Sequence, residues 1–275
     1  MQVKHFKKFV SKETPIALVE LTKIKGSGPR EIGSWMLVSD RKTINTVGGG
    51  SLEFSLIEEA KRMLSYSNLK SKIFTYKLNP EADQCCGGVI ECRISIPKSS
   101  DLDKLEQRIV TDKSKYPNLY LFGAGHVGEA LIRQACHLPL KITVVDSRLE
   151  IINAIKYKFK NLDENINFVL DVLPERIVRN SKKHSAFLVM THSHSTDFSI
   201  IDEILHHQDV AFVGMIGSKT KKRSLKKYLK EKGFCEHKIN SVKCPIGRDL
   251  KMQNKKMPEV IAALAISDIL ESFDE

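Results

Sequence analysis

The chain has 275 residues, enough for two domains of ordinary size, and its 41% hydrophobic and 28% charged content fits a globular protein rather than a fibrous or disordered one. The 44 Lys and Arg against 33 Asp and Glu leave a net charge of +11, yet no stretch is apolar and long enough to suggest a signal peptide or a membrane span. Six cysteines in a chain of this length are not a disulfide framework; they read as reduced thiols and point to the cytoplasm.

Partial alternation predicts strands at 16–24, 35–39, 72–77 and 89–96, with a helix at 51–64. Three unusual segments punctuate this half. Gly26-Ser27-Gly28-Pro29-Arg30 precedes a strand. Gly48-Gly49-Gly50-Ser51-Leu52-Glu53 opens the helix, so Gly49 and Gly50 offer an anion-friendly turn. Gln84-Cys85-Cys86-Gly87-Gly88 precedes the last strand. Cys85 and Cys86 read either as exposed soft ligands or reactive thiolates, or as ordinary half-buried cysteines. The stretch 97–116, with a short polar helix at 101–110, reads as a boundary between a domain over 1–112 and one over 116–275.

Beyond it strands alternate with helices: 119–122, a helix at 129–137, 142–146, a helix, 166–170, a turn, 186–191, a helix, 210–213, a helix, and a final helix near 258–270. Such alternation predicts a parallel sheet with helices on both faces. The first strand runs into Gly123-Ala124-Gly125-His126-Val127-Gly128, a G-x-G-x-x-G turn. Gly123 permits the tight turn, Gly125 lets backbone N–H groups approach a phosphate, and Gly128 lets helix and strand pack closely. The fold expected is α/β: a Rossmann-like C-terminal domain with a smaller N-terminal α+β domain.

Ligands in open α/β sheets sit beyond the carboxyl ends of the strands. Asp146 stands there, ready for a ribose hydroxyl or another diol, or for capping the following helix. Arg148 suits a phosphate or a partner's carboxylate, or is an ordinary surface arginine. His192 and His194, two apart, would share a face on a strand; they suit a metal or an anion, or are hydrogen-bonded loop residues. His126, at a helix N-terminus, is placed to donate to a ligand oxygen. Gly217 and Ser218 follow the strand at 210–213, and Cys244 opens Cys244-Pro245-Ile246-Gly247 before the final helix. Segment 219–232 carries eight basic residues against Glu231 alone, a surplus of +7. It reads as a solvated helix over buried Leu225 and Leu229, or as a docking face for an acidic partner. Its single aromatic, Tyr228, speaks against nucleic acid.

Together these motifs resemble the xanthine dehydrogenase accessory protein family, XdhC. The resemblance is carried by Gly26-Ser27-x-Pro29-Arg30, the triple glycine with Ser51-Leu52-Glu53, and Gln84-Cys85-Cys86-Gly87-Gly88 in the first half. In the second it is carried by 122–128, Leu138-Pro139, Val145-Asp146-Ser147-Arg148, Met190-Thr191-His192-Ser193-His194, Gly214-Met215-Ile216-Gly217-Ser218 with Lys221, Cys244-Pro245-Ile246-Gly247 and Pro258-Glu259. One segment departs from the pattern: 248–257 lacks the glycine-containing loop of the family. The resemblance implies a cytoplasmic chaperone that binds the molybdenum cofactor (molybdopterin), protects it while a cysteine desulfurase sulfurates it, and inserts it into the molybdenum subunit of a xanthine dehydrogenase-type enzyme. It implies an accessory protein, and a homodimer, rather than an enzyme. Cofactor binding then falls to Gly123, Gly125, His126, Gly128, Asp146, Arg148, His192, His194, Gly217, Ser218, Gly49 and Gly50. Thiolate contact with molybdenum falls to Cys86, to Cys85, and in reserve to Cys244. The rival reading is an NAD(P)-dependent oxidoreductase, with His192 or His194 as proton donor.

Overall fold

A computed structural model describes residues 2–65, 70–78, 87–160, 165–207, 209–246 and 256–274. The chain forms two compact units, Met1–Ser114 and Lys115–Glu275.

The first unit is built on an antiparallel sheet of β1 (Ala17–Lys25), β2 (Trp35–Val38), β3 (Thr43–Asn45), β4 (Ser71–Lys77) and β5 (Val89–Ser95), in the order β3-β2-β1-β5-β4. Alternation decides which side chains face which layer. Ala17, Val19 and Leu21 of β1 and Ile90, Cys92 and Ile94 of β5 point to one face. There they meet α2 (Gly50–Ser65) through Leu52, Leu56, Ala60 and Met63, a stripe at helical spacing. Leu18, Trp35 and Leu37 point the other way, onto α1 (Val3–Lys12) and α3 (Ser99–Ser114). Helix α1 has no counterpart in the sequence reading. Its Phe6 and Phe9 are buried three residues apart, and the Phe6 ring meets Trp35 edge-on at 6.0 Å. Strand β3 was likewise not anticipated; with three residues, none of them buried, it carries no apolar pattern.

The second unit is a parallel sheet of β6 (Asn118–Phe122), β7 (Lys141–Asp146), β8 (Ile166–Leu170), β9 (Ser185–Val189) and β10 (Val210–Met215), in the order β10-β9-β6-β7-β8. Leu119 and Leu121 face α4 (His126–Ala135), α5 (Leu149–Lys158) and α10 (Pro258–Glu271). Phe122, Phe187 and Val189 face α7 (His194–His206), α8 (Lys219–Glu231) and α9 (Glu236–Ser241). Between β8 and β9, where a turn was expected, a short helix α6 (Glu175–Arg179) buries Val178. Strand β6 lies between β7 and β9, so the chain leaves it in opposite directions across the sheet. That reversal opens the crevice in which such sheets bind ligands. Among the described residues no helix is long and apolar enough to cross a membrane.

Candidate functional site

The turn after β6 is held from behind. Gly123 has φ +113, and a Cβ on it would overlap the Met190 carbonyl oxygen, so the residue must be glycine for the turn to reach β9's exit. A Cβ at Gly128 would come within 2.5 Å of the Gly123 carbonyl oxygen. Gly125 differs: a Cβ there meets nothing within 4 Å. Its side faces open space, and it begins α4 without a side-chain cap. Among the described residues, the N–H groups of Gly125, His126 and Val127 find no acceptor. Open space over unsatisfied N–H groups at the positive end of a helix fits a phosphate.

Asp146 supports this turn. Its Oδ2 accepts from the Ala124 N–H at 2.9 Å and from Arg148 Nη2 at 2.8 Å. Its Oδ1 accepts from the Arg148 N–H at 3.0 Å and from Arg148 Nε at 2.9 Å. The Asp146 side chain is 2% exposed and that of Arg148 33%. Burial alone would raise the Asp146 carboxyl, but hydrogen bonds from Arg148 and from the Ala124 N–H outweigh it and hold the group below its ordinary range. The same pairing pushes Arg148 up. Both expectations for Asp146 therefore change. Its oxygens are spent on Ala124 and Arg148 rather than offered to a diol, and the residue at the N-cap of α5 is Arg148.

His192 follows β9, which ends at Val189, and His194 is the first residue of α7. They do not share a strand face, because β9 ends at Val189 and both residues lie beyond it. Both side chains, and that of His126, are exposed. The Ser193 hydroxyl caps α7, accepting from the Thr196 N–H at 3.3 Å. The Ser218 hydroxyl caps α8 in the same way, accepting from the Lys221 N–H at 3.2 Å. Of the helices that follow β6, β9 and β10, α4 alone starts without such a cap. Gly217 is explained by packing rather than by a ligand, since a Cβ would sit 2.6 Å from Lys221 Cδ. Gly214 and Met215, read as loop, complete β10.

A cleft of about 100 Å³ opens at these strand ends, lined by Gly123, Asp146, Asp171, Thr191, His192 and Thr196 among others. It admits a phosphate- or sugar-sized group. A larger groove of about 460 Å³ lies along the edge of β10, and the first unit has one of about 640 Å³ beside α3.

At this end Asp197 escaped the sequence reading, and Lys221 figured there only in the family motif and the basic segment. Asp197, in the first turn of α7, is fully buried and takes the ammonium of Lys221 on Oδ2. Its Oδ1 accepts from the Thr191 N–H at 2.8 Å and the Thr191 hydroxyl at 2.6 Å. Asp197 stands four residues after the N-cap Ser193, one beyond the capping-box position, so no local pattern marks its role.

The first unit gathers its own motifs. A Cβ on Gly26 would lie 3.4 Å from Gly88 Cα, and one on Gly48 2.7 Å from Pro29 Cβ. Three segments distant in sequence thus meet. Yet the 48–50 turn is already filled. Glu53 Oε2 accepts from the Gly49 N–H at 3.0 Å, the Val47 N–H at 3.2 Å and the Thr46 hydroxyl. Burial tends to raise the Glu53 carboxyl, but these bonds bring it below its ordinary value. The anion expected at Gly49 and Gly50 is the protein's own.

Cys85 and Cys86 lie outside the described residues, as does the 248–255 segment. Cys244 is buried among Val213, Leu225, Leu229 and Val242. Burial pushes its thiol up to about 11. A thiol that stays protonated inside an apolar cluster does not suit the reserve metal-ligand role. Among the described residues no group of three or more His, Cys, Asp or Glu is arranged to hold a metal ion.

Residues 119–269 match the family model described as the XdhC Rossmann domain, and residues 9–76 match that of the XdhC and CoxI family. Among curated proteins the chain is similar to the uncharacterized protein YqeB of Escherichia coli strain K12, at 25% identity over 274 residues. That alignment covers 96% of this chain but only 44% of YqeB, so the chain spans less than half of that relative. Among solved structures it is similar to a Bacillus halodurans protein described as a xanthine dehydrogenase, with a TM-score of 0.75 at 18% identity. All of this chain and 96% of that one are covered, a likeness of fold.

Proposed function

The chain belongs to the XdhC family, and from that premise we propose that it is an accessory protein that binds the molybdenum cofactor and delivers it to a xanthine dehydrogenase-type enzyme. The observation that carries the reading is the open N–H cradle of Gly125, His126 and Val127 at the reversal point of the sheet. Molybdopterin carries a phosphate, and this is the turn at the sheet's ligand end that has room and donors for one. Arg148, one-third exposed beside it, adds positive potential. The exposed His126, His192 and His194 give the rest of the ligand neutral or cationic hydrogen-bonding partners. On this reading the partners are the molybdenum subunit and a cysteine desulfurase, met by a cytoplasmic homodimer.

The NAD(P) reading draws less support. A dinucleotide site uses the acid at the end of the second strand to bind ribose hydroxyls. Here that acid is Asp146, and both of its oxygens are engaged inside the protein.

The test is a parallel titration of the full chain with molybdopterin and with NADH under anaerobic conditions. The expected result is saturable 1:1 binding of molybdopterin and none of NADH. Binding of NADH alone would overturn the proposal.

A further inference from the structure

We infer that Lys221 and Asp197 form a latch joining the loops after β9 and β10, so that a lysine on α8 sets the geometry of His192 and His194. The functional consequence rests on the cofactor reading above; the latch itself rests on geometry. The Asp197 side chain is 0% exposed and that of Lys221 10%. From Lys221 Nζ one bond goes to Asp197 Oδ2 and a second, of 3.3 Å, to the Ile216 carbonyl in the β10–α8 loop. From Asp197 Oδ1 the connection continues to the N–H and hydroxyl of Thr191. With its one proton given to Asp197, the Thr191 hydroxyl oxygen accepts in turn from the Ser193 N–H at 3.2 Å. His192 and His194 flank Ser193. The ion pair joins the first turns of α7 and α8, and its outer bonds reach the loops at Ile216, Thr191 and Ser193.

The strands need no such link, because β9 and β10 already pair in parallel along their length. The helices need none either, because α7 and α8 reach the core through Ile200, Ile204, Leu225 and Leu229. A buried ion pair adds little stability over an apolar pair of the same volume, whereas removing one partner is costly. Its gain here is in geometry: it gives two adjacent loops one arrangement. Gly217 belongs to the same device, since its missing side chain makes room for the Lys221 stem.

The decisive variant replaces both charges together, Asp197→Leu with Lys221→Met, leaving no orphan charge in the core. Three measurements are made on the full chain: thermal melting, amide hydrogen exchange at Thr191 and Ser193 without ligand, and molybdopterin titration. The expected outcome is a folded protein whose Thr191 and Ser193 amides exchange about tenfold faster or more, and whose cofactor Kd rises about tenfold or more. Thr191→Val is the milder variant should the double replacement fail to fold; it removes one hydroxyl and should speed exchange at Ser193. Unchanged exchange in the folded variants overturns the latch. So does faster exchange with unchanged affinity, since the latch would then position nothing. Faster exchange in a protein whose wild type binds no molybdopterin leaves the latch standing and removes the cofactor reading instead.

Discussion

At the start of α2 the 48–50 turn closes around the carboxylate of Glu53, whereas at the start of α4 the 123–128 turn gives one N–H to Asp146 and, among the described residues, the next three find no acceptor. Both turns are glycine-rich, both open a helix, and both carry an acid within reach. The difference lies in where the acid sits. Glu53 belongs to the helix it caps and folds back into the turn. Asp146 comes from the neighbouring strand and approaches from the protein side. A glycine turn recruits an external anion only where the protein has not supplied its own.

The sharpest contrast is within the second turn. Gly123→Ala should cost on the order of 4 kcal/mol, since a side chain would combine an unfavourable φ with overlap on the Met190 carbonyl. Gly125→Val should leave stability within about 1 kcal/mol but reduce cofactor affinity at least about tenfold, because its side chain fills the open cradle. Denaturant titration and ligand binding separate the two. A Gly125→Val protein that binds molybdopterin normally would remove this turn as the phosphate site.

Asp146→Asn comes next, at about 2 kcal/mol, discounted because Arg148 is partly exposed. Its pH signature follows from the lowered Asp146 pKa. A depressed carboxyl contributes its stability fully above its unfolded value and loses it as pH falls through the folded value. Wild type should thus lose stability on acidification below the ordinary carboxylate range, and the variant should lose less. Equal acid limbs in the two proteins would contradict this.

Glu53→Gln tests the other turn, with an expected loss of about 1–2 kcal/mol at neutral pH. Glu53 is also held below its ordinary value, so the sign is the same and the variant's acid limb flattens. Glu53→Ala should go further and convert the filled turn into a weak anion site. Phosphate at millimolar concentration should then raise its melting temperature more than that of wild type. If phosphate has equal effects on both, the occupancy argument fails.

The smallest effect is expected far from either turn, on α8. Reversing Lys222, Lys226 and Lys230 to Glu breaks surface contacts, Lys226 with Asn240 and Lys230 with Glu236 among them. Melting should shift by a few degrees at most and pterin binding should not change. If α8 docks an acidic partner, transfer should slow at low salt and recover its difference at high salt, as exposed charges are screened beyond about 8 Å at physiological ionic strength. Equal transfer rates at low salt would leave the helix a solubility role alone.

Much of the scaffold was legible in the residues. The run Leu119 to Phe122, the glycine spacing after it and the alternation that follows specify a parallel sheet, because buried parallel strands must be apolar on both faces. Strand ends were less legible. The apolar run to Met190 continues past the last β9 residue, Val189, so the run alone overstates the strand. Helix α1 was missed because only two of its ten residues are buried and the rest are largely charged or polar.

The sequence by itself determined where donors, acids and glycines stand along the chain, since the pleat and the helical period fix which residues can line one face. Which of those donors are free was decided only in the tertiary structure. Glu53 and Gly49 are four residues apart, but Asp146 and Ala124 are separated by 22 residues and Lys221 and Asp197 by 24. Local spacing could reveal the first pairing and not the other two. A buried carboxylate takes the partners that folding brings within about 3 Å of it. Those partners come from neighbouring strands and helices, and they leave the cradle at Gly125 open while closing the one at Gly49.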